Sequence, residues 1–209
     1  MTRAHKLRLG VVGSGRGSNM LAIAEAARAE SFPAEIAIVL SDVQDAGILQ
    51  HAARLGLAHR YLAPGKYRTK LDEEAEAAYI HVLRDADVEL VVLAGFMRIL
   101  KGEFLRAFDG RVINVHPSLL PAFPGLEAWK QALEHGVKVT GCTVHFVDQG
   151  VDTGAIIAQE IAVVLDADTP ETLHARIHEA EHRAYPAAIA AIARGDLLLR
   201  GRRTFLQQP

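Results

Sequence analysis

The sequence predicts an α/β protein: a single-domain, doubly wound, mostly parallel sheet with an antiparallel strand pair and a long helix towards the C-terminus. Three observations carry that expectation. Short apolar runs alternate with helical stretches through the first half of the chain, the pattern of parallel strands joined by crossover helices. The run Val88 to Ala94 is almost continuously apolar, as a central strand covered on both faces requires. A glycine-rich turn, Gly13-Ser14-Gly15-Arg16-Gly17-Ser18-Asn19, separates the first apolar run from the first helical stretch, where a Rossmann-like fold holds anions.

In chain order, Leu7 to Val12 reads as a strand, and Ser18 to Glu30 as a helix with Met20, Leu21, Ile23 and Ala24 on its apolar side. Ile36 to Leu40 is the next strand, followed by a helix around Gly47 to Leu55, a short strand near Tyr61 and Leu62, and a charged helix from Tyr67 to Arg84. After Val88 to Ala94, a short helix near Glu103 to Phe108 leads into a strand at Val112 to Val115. The last third changes character. Val137 to Val147 and Ala155 to Val164 are β-rich and form the antiparallel pair, joined by the acidic connection Asp148 to Gly154. Thr169 then caps a long helix with Pro170 in its first turn, and Pro186 is expected to interrupt it. No repeat, low-complexity block or long linker divides the chain, so residues 1–209 are expected to form one domain.

Of the 209 residues 50% are hydrophobic, and 23 basic against 25 acidic side chains leave a net charge of -2. A chain this long buries roughly 70% of the surface its unfolded form exposes, enough for one sizeable core. The balance of charge supplies no broad basic field for nucleic acid. Basic residues gather only at Arg3, Lys6 and Arg8 and at Arg200, Arg202 and Arg203, and are read as solubilising groups. The apolar run from Leu90 to Met97 is far short of the ~20 residues that span a bilayer, and no signal-peptide pattern precedes Gly10. Cytoplasmic residence without membrane or nucleic-acid partners is the expectation. A single cysteine, Cys142, excludes an internal disulfide and reads as a buried, inert thiol.

The glycine turn suits phosphate, because glycines let backbone N–H groups approach an anion at a helix N-terminus. Its ligand is open at this level. A dinucleotide fingerprint wants glycine at the sixth position, where Ser18 stands, yet Asp42 follows the second strand where an acid would meet a ribose. A nicotinamide-dependent oxidoreductase therefore stays alive as a rival. A P-loop fails, because no lysine precedes Ser18.

Asn114 and His116 end the fifth strand, and in extended chain residues two apart face the same way. An amide donor beside an imidazole suits carbonyl chemistry, in which both stabilise an oxyanion. Pro117, Pro121 and Pro124 stiffen the loop that follows. A carboxylate nearby would favour the protonated imidazole, and the acidic connection offers Asp148 and Asp152.

These segments resemble the glycinamide ribonucleotide formyltransferases, folate-dependent transformylases of purine synthesis. The resemblance rests on Gly15-Arg16-Gly17-Ser18-Asn19, on Val91 to Leu100, on Asn114-Val115-His116-Pro117-Ser118-Leu119-Leu120-Pro121, and on His145-Phe146-Val147 through Asp152-Thr153-Gly154. It implies a formyltransferase fold, with residues 1–110 as the ribonucleotide-phosphate half and 111–209 as the catalytic and folate half. It implies that Gly17, Ser18 and Asn19 hold the substrate phosphate, with His178 and Glu181 at the ribonucleotide. Met97, Arg98, Ile99 and Leu100 would line the folate pocket, with Lys70, Asn114 and Asp148, Gln149, Gly150, Val151 and Asp152 also at the folate. Asn114, His116 and Asp152 would be catalytic. The formyl donor is 10-formyltetrahydrofolate, a cosubstrate, and no metal is implied; the partners are these two small molecules, for a monomer or homodimer. Lys70 departs from the arginine frequent at its position and lacks the bidentate fork, and His178 stands where glutamine is common. Formyltetrahydrofolate deformylase and methionyl-tRNA formyltransferase share the Asn-x-His segment but carry further domains.

His174, His178 and His182 recur every four residues on the last helix, a spacing that zinc can use. The glutamate that the helical zinc signature places after its first histidine is replaced by Ala175, so the set reads as a polar helix face.

Overall fold

The computed structural model describes residues 5–29 and 32–206. Arg3, and Glu30 at the expected end of the first helix, lie outside them. Internal contacts divide the chain into two compact units, residues 1–113 and 114–209.

The first unit alternates strand and helix as expected. It contains β1 (Leu7–Val12), α1 (Ser18–Ala27), β2 (Ala34–Ser41), α2 (Gly47–Arg54), β3 (His59–Tyr61), α3 (Glu73–Asp85), β4 (Leu90–Leu93) and α4 (Gly102–Ala107). The strands run in the order β3-β2-β1-β4 and every pairing between them is parallel. β4 is buried at all four positions, as its unbroken apolar sequence requires. The charged segment from Tyr67 does not begin a helix. α3 starts at Glu73, because the Asp72 carboxylate accepts from Ala75 N at 3.0 Å and three glutamates in the first turn complement the helix dipole.

β5 (Val112–His116) ends in the second unit, which continues with α5 (Ala128–Glu134), β6 (Val139–Phe146), β7 (Ile156–Val163), α6 (Pro170–Ala193), β8 (Leu197–Arg200) and β9 (Arg203–Leu206). β6 and β7 form the expected antiparallel pair, Val139 opposite Val163 and Cys142 opposite Glu160. Thr169 and Thr172 close a reciprocal capping box at the start of α6. Pro186 does not interrupt that helix. One backbone bond is lost there, but Ala184, Tyr185, Ala188 and Ile189 on either side are buried, and packing on β6 and β7 outweighs the local cost. α5 was not marked by the sequence pattern. Nor was the hairpin β8–β9, whose exposed Arg200 and Arg203 lie over the Phe205 ring at 5.9 and 5.0 Å. Among the described residues no helix is long and apolar enough to cross a membrane.

Candidate active site

The turn between β1 and α1 has the steric character its glycines imply. Gly17 sits at φ +84°, and a Cβ there would lie 2.6 Å from the Ile48 backbone. Gly15 has nothing within 4 Å of its would-be side chain, so the turn is open on that side. The N-cap of α1 is Gly17, which has no side chain to cap the helix, and an uncapped helix N-terminus is where anions are commonly held. Ser18 is half-buried and Asn19 buried at the start of this helix.

Ser14 has another task. Its N–H donates to Gly95 O at 3.0 Å and its Oγ accepts from Met97 N at 2.9 Å, which ties the turn to the segment Met97 to Leu100. Along that segment Met97 and Ile99 face outward and Leu100 is buried. The Arg98 side chain turns inward, to the Asp42 carboxylate at 2.7 Å and to the carbonyls of Tyr67 and Arg68. Asp42 is thereby engaged by a guanidinium, which counts against its service to a ribose. Lys70 stands beside this segment, bridged in parallel to Ile99, with its Nζ 4.5 Å from the Tyr67 ring centroid. A cavity of about 590 Å³ adjoins both, lined also by Lys66, Asp72 and Lys101.

In the second unit β5 places Asn114 and His116 on one face, and the structure brings Asp152 and a further residue, His145, to them. His116 Nε2 meets Phe123 O at 2.8 Å and its Nδ1 faces Asp152 Oδ2 at 3.3 Å. The carbonyl can only accept, so the proton on Nε2 is directed at Phe123, while Nδ1 faces the carboxylate. The pair is secluded, with side chains 6% and 12% exposed. Gly125 N donates to the same Asp152 oxygen at 2.8 Å, so the loop after β5 touches both partners.

His145 is the opposite case. Its Nδ1 meets Phe146 O at 2.8 Å, and burial pushes its pKa below the ordinary value, so the ring is neutral with its proton on Nδ1. Nε2 is then an acceptor, 3.4 Å from Asn114 Nδ2. That contact fixes which end of the Asn114 amide faces the ring and leaves its second N–H for another acceptor.

The connection after β6 is shaped to present Asp152. Asp152 itself is at φ +54°, and a Cβ on Gly154 would lie 1.7 Å from Phe146 O, so glycine is obligatory there. Asp148 braces the turn, accepting from Gly150 N at 3.0 Å and from the Thr153 hydroxyl at 2.6 Å. Arg202 of the β8–β9 turn donates to Thr153 O at 2.8 Å. Gln149 and Val151 are exposed on this turn. Beneath the proline-rich loop, buried Thr143 donates to Ser118 O at 2.7 Å and accepts from Leu120 N at 3.0 Å.

On α6, Glu181 is buried and His178 lies 3.9 Å from it. His174 stacks on Trp129 with centroids 3.6 Å apart and contacts His178 at 4.0 Å. Burial lowers the pKa of His182, and its Nε2 is buried without a hydrogen-bond partner. Among the described residues no group of three or more His, Cys, Asp or Glu is arranged to hold a metal. Cys142 is fully buried and its thiol is pushed up to about 12, first by that burial.

The structure thus gathers Asn114, His116 and Asp152, while Gly17, Ser18 and Asn19 share the first unit with Met97 to Leu100. Sequence reasoning missed Ser14, Phe123 and Arg202, and left His145 as part of a motif without a role. His145 alone had a signal, the one imidazole in a strand whose other buried residues are small or apolar.

A family model described as formyl transferase matches residues 7–189. The trifunctional purine biosynthetic protein adenosine-3 of Gallus gallus is 45% identical over 193 residues, covering 92% of this chain and 19% of that protein. The chain thus spans about a fifth of that relative's length. The phosphoribosylglycinamide formyltransferase of Bacillus subtilis is 43% identical over 182 residues, 87% of this chain and 92% of that one. The crystal structure of glycinamide ribonucleotide transformylase 1 from Symbiobacterium toebii superposes with a TM-score of 0.92 at 48% identity, covering 98% of this chain and 95% of the other. The fold class read from the sequence is the fold of that structure.

Proposed function

Because the chain belongs to the formyl transferase family, we propose that it moves the formyl group of 10-formyltetrahydrofolate to the amine of glycinamide ribonucleotide, a step of purine biosynthesis. The observation that carries this reading is the secluded His116 imidazole, with Asp152 3.3 Å from its Nδ1 and the Asn114 amide on the same strand face. Likeness over 87% of the chain to a protein named phosphoribosylglycinamide formyltransferase supports the same substrate pair.

The substrate amine attacks the formyl carbon, and a tetrahedral oxyanion forms. Asn114 Nδ2–H and a His116 N–H donate to that oxygen, in a secluded site where such bonds are worth more than in water. Asp152 holds the imidazole charged and oriented, and takes up the amine proton through water. Collapse breaks the bond to the folate nitrogen, which receives the proton, so formylated amide and tetrahydrofolate leave with charge and atoms balanced. The substrate phosphate is assigned to the Gly13 to Asn19 turn, with His178 and Glu181 serving the ribonucleotide. Met97 to Leu100, Lys70 and the turn Asp148 to Asp152 serve the folate.

The deciding experiment mixes the protein with both substrates and follows appearance of the deformylated folate by absorbance. Release that depends on the ribonucleotide is the expected result; a control without it separates transfer from hydrolysis. Release no greater than that of His116→Ala overturns the reading.

A further inference from the structure

Arg98 lies between two apolar neighbours whose side chains are exposed, Met97 at 60% and Ile99 at 39%. The Arg98 side chain goes inward, so the three successive side chains alternate across this segment. What fixes Arg98 is a partly buried ion pair, its Nε on Asp42 Oδ2 at 2.7 Å, with side chains 17% and 2% exposed. The same guanidinium donates through Nη1 to the carbonyls of Tyr67, at 2.7 Å, and Arg68, and Ile99 N donates to Thr69 O at 2.8 Å. One planar fork thus laces the 67–70 loop to the 97–99 segment, with Asp42 at the end of β2 as its anchor.

We propose that Asp42 is a positioning residue for the folate site: by holding Arg98 inward it presents Met97 and Ile99 as the apolar surface that receives the folate ring. This rests on the formyl-folate reading above. It makes the Arg98 side chain a structural lace, although its backbone lies within the folate segment. A lysine in its place could satisfy the carboxylate but not the two carbonyls as well.

Two variants test the proposal. Asp42→Asn keeps the size and an acceptor oxygen while removing the charge. Asp42→Glu keeps the charge on a side chain one methylene longer and is the conservative counterpart. Asp42→Asn is expected to raise KM for 10-formyltetrahydrofolate about tenfold, with kcat and the KM for glycinamide ribonucleotide within about twofold of the parent, and Asp42→Glu to bring the folate KM back to within about threefold. A merely structural role would lower Tm and the active fraction while leaving both KM values in place. A parental folate KM in active Asp42→Asn overturns the inference alone. Absence of formyl transfer in the parent protein overturns the functional reading, and the inference with it.

Discussion

Phe123 occupies the Nε2–H of His116 with its own backbone carbonyl, at 2.8 Å. Asp152 faces the other ring nitrogen, so both polar edges of the imidazole meet groups of the protein itself. In the proposed reaction the formyl oxygen and the Phe123 carbonyl compete for the same proton. Phe123 sits at φ +52° and Gly125, which donates to Asp152, at φ +84°, so the loop holds this arrangement with uncommon backbone angles.

Removing the imidazole or its carboxylate partner is the most direct test. His116→Ala and Asp152→Asn are each expected to lower kcat by about 10²–10⁴-fold, the range for a lost acid–base or oxyanion group. Circular dichroism should register an intact fold in both. Near-parental turnover in both would remove the assigned roles.

The glycine turn allows a comparison of neighbours. Gly17→Ala forces a side chain against Ile48 at positive φ, a strain costing about 1–3 kcal/mol, and should raise the ribonucleotide KM at least tenfold (roughly 1.4 kcal/mol). Gly15→Ala meets nothing within 4 Å and should leave that KM within about threefold. Equal effects from the two would argue that the turn does not hold the phosphate.

Stability should decline on mild acidification. His145 and His182 have folded pKa values lowered by burial, whereas in the unfolded chain they titrate near about 6.5. Below that pH the unfolded state binds protons that the folded state refuses, so this contribution is complete above about 6.5 and is lost as pH falls towards the folded values. Thermal melts across that range should record a falling Tm. His182→Leu, which removes a buried nitrogen without a partner, should flatten the slope and raise Tm at pH 6 by about 2–4 °C.

Trp129 is the single tryptophan, so whole-protein fluorescence reports its stacking on His174. An imidazole in contact quenches indole, so His174→Ala is expected to raise that emission at constant pH. Unchanged emission in His174→Ala would show that the stacking does not govern it.

Strand and helix positions were legible wherever apolar period and turn chemistry agreed. Leu7–Val12 emerges with both ends as read, because the sequence runs straight from apolar strand to glycine turn. α3 was misplaced although its signal was present: Asp72 followed by Glu73, Glu74 and Glu76 is a helix start, and the charges before it belong to a loop. The hairpin β8–β9 was hidden because three exposed arginines interrupt its apolar period, and the approach of two of them to the Phe205 ring depends on the turn between the strands. The Asn114–His116 pair was visible from strand alternation. The approach of His145 and Phe123 was not, because separations of 31 and 7 residues carry no distance until the chain has folded.

The bond from Arg202 to Thr153 O spans 49 residues of sequence, and Thr204 repeats the link at Ile156 O. The residue that follows Asp152 is therefore tied to the β8–β9 hairpin, so the turn that carries the acid is held from outside its own loop.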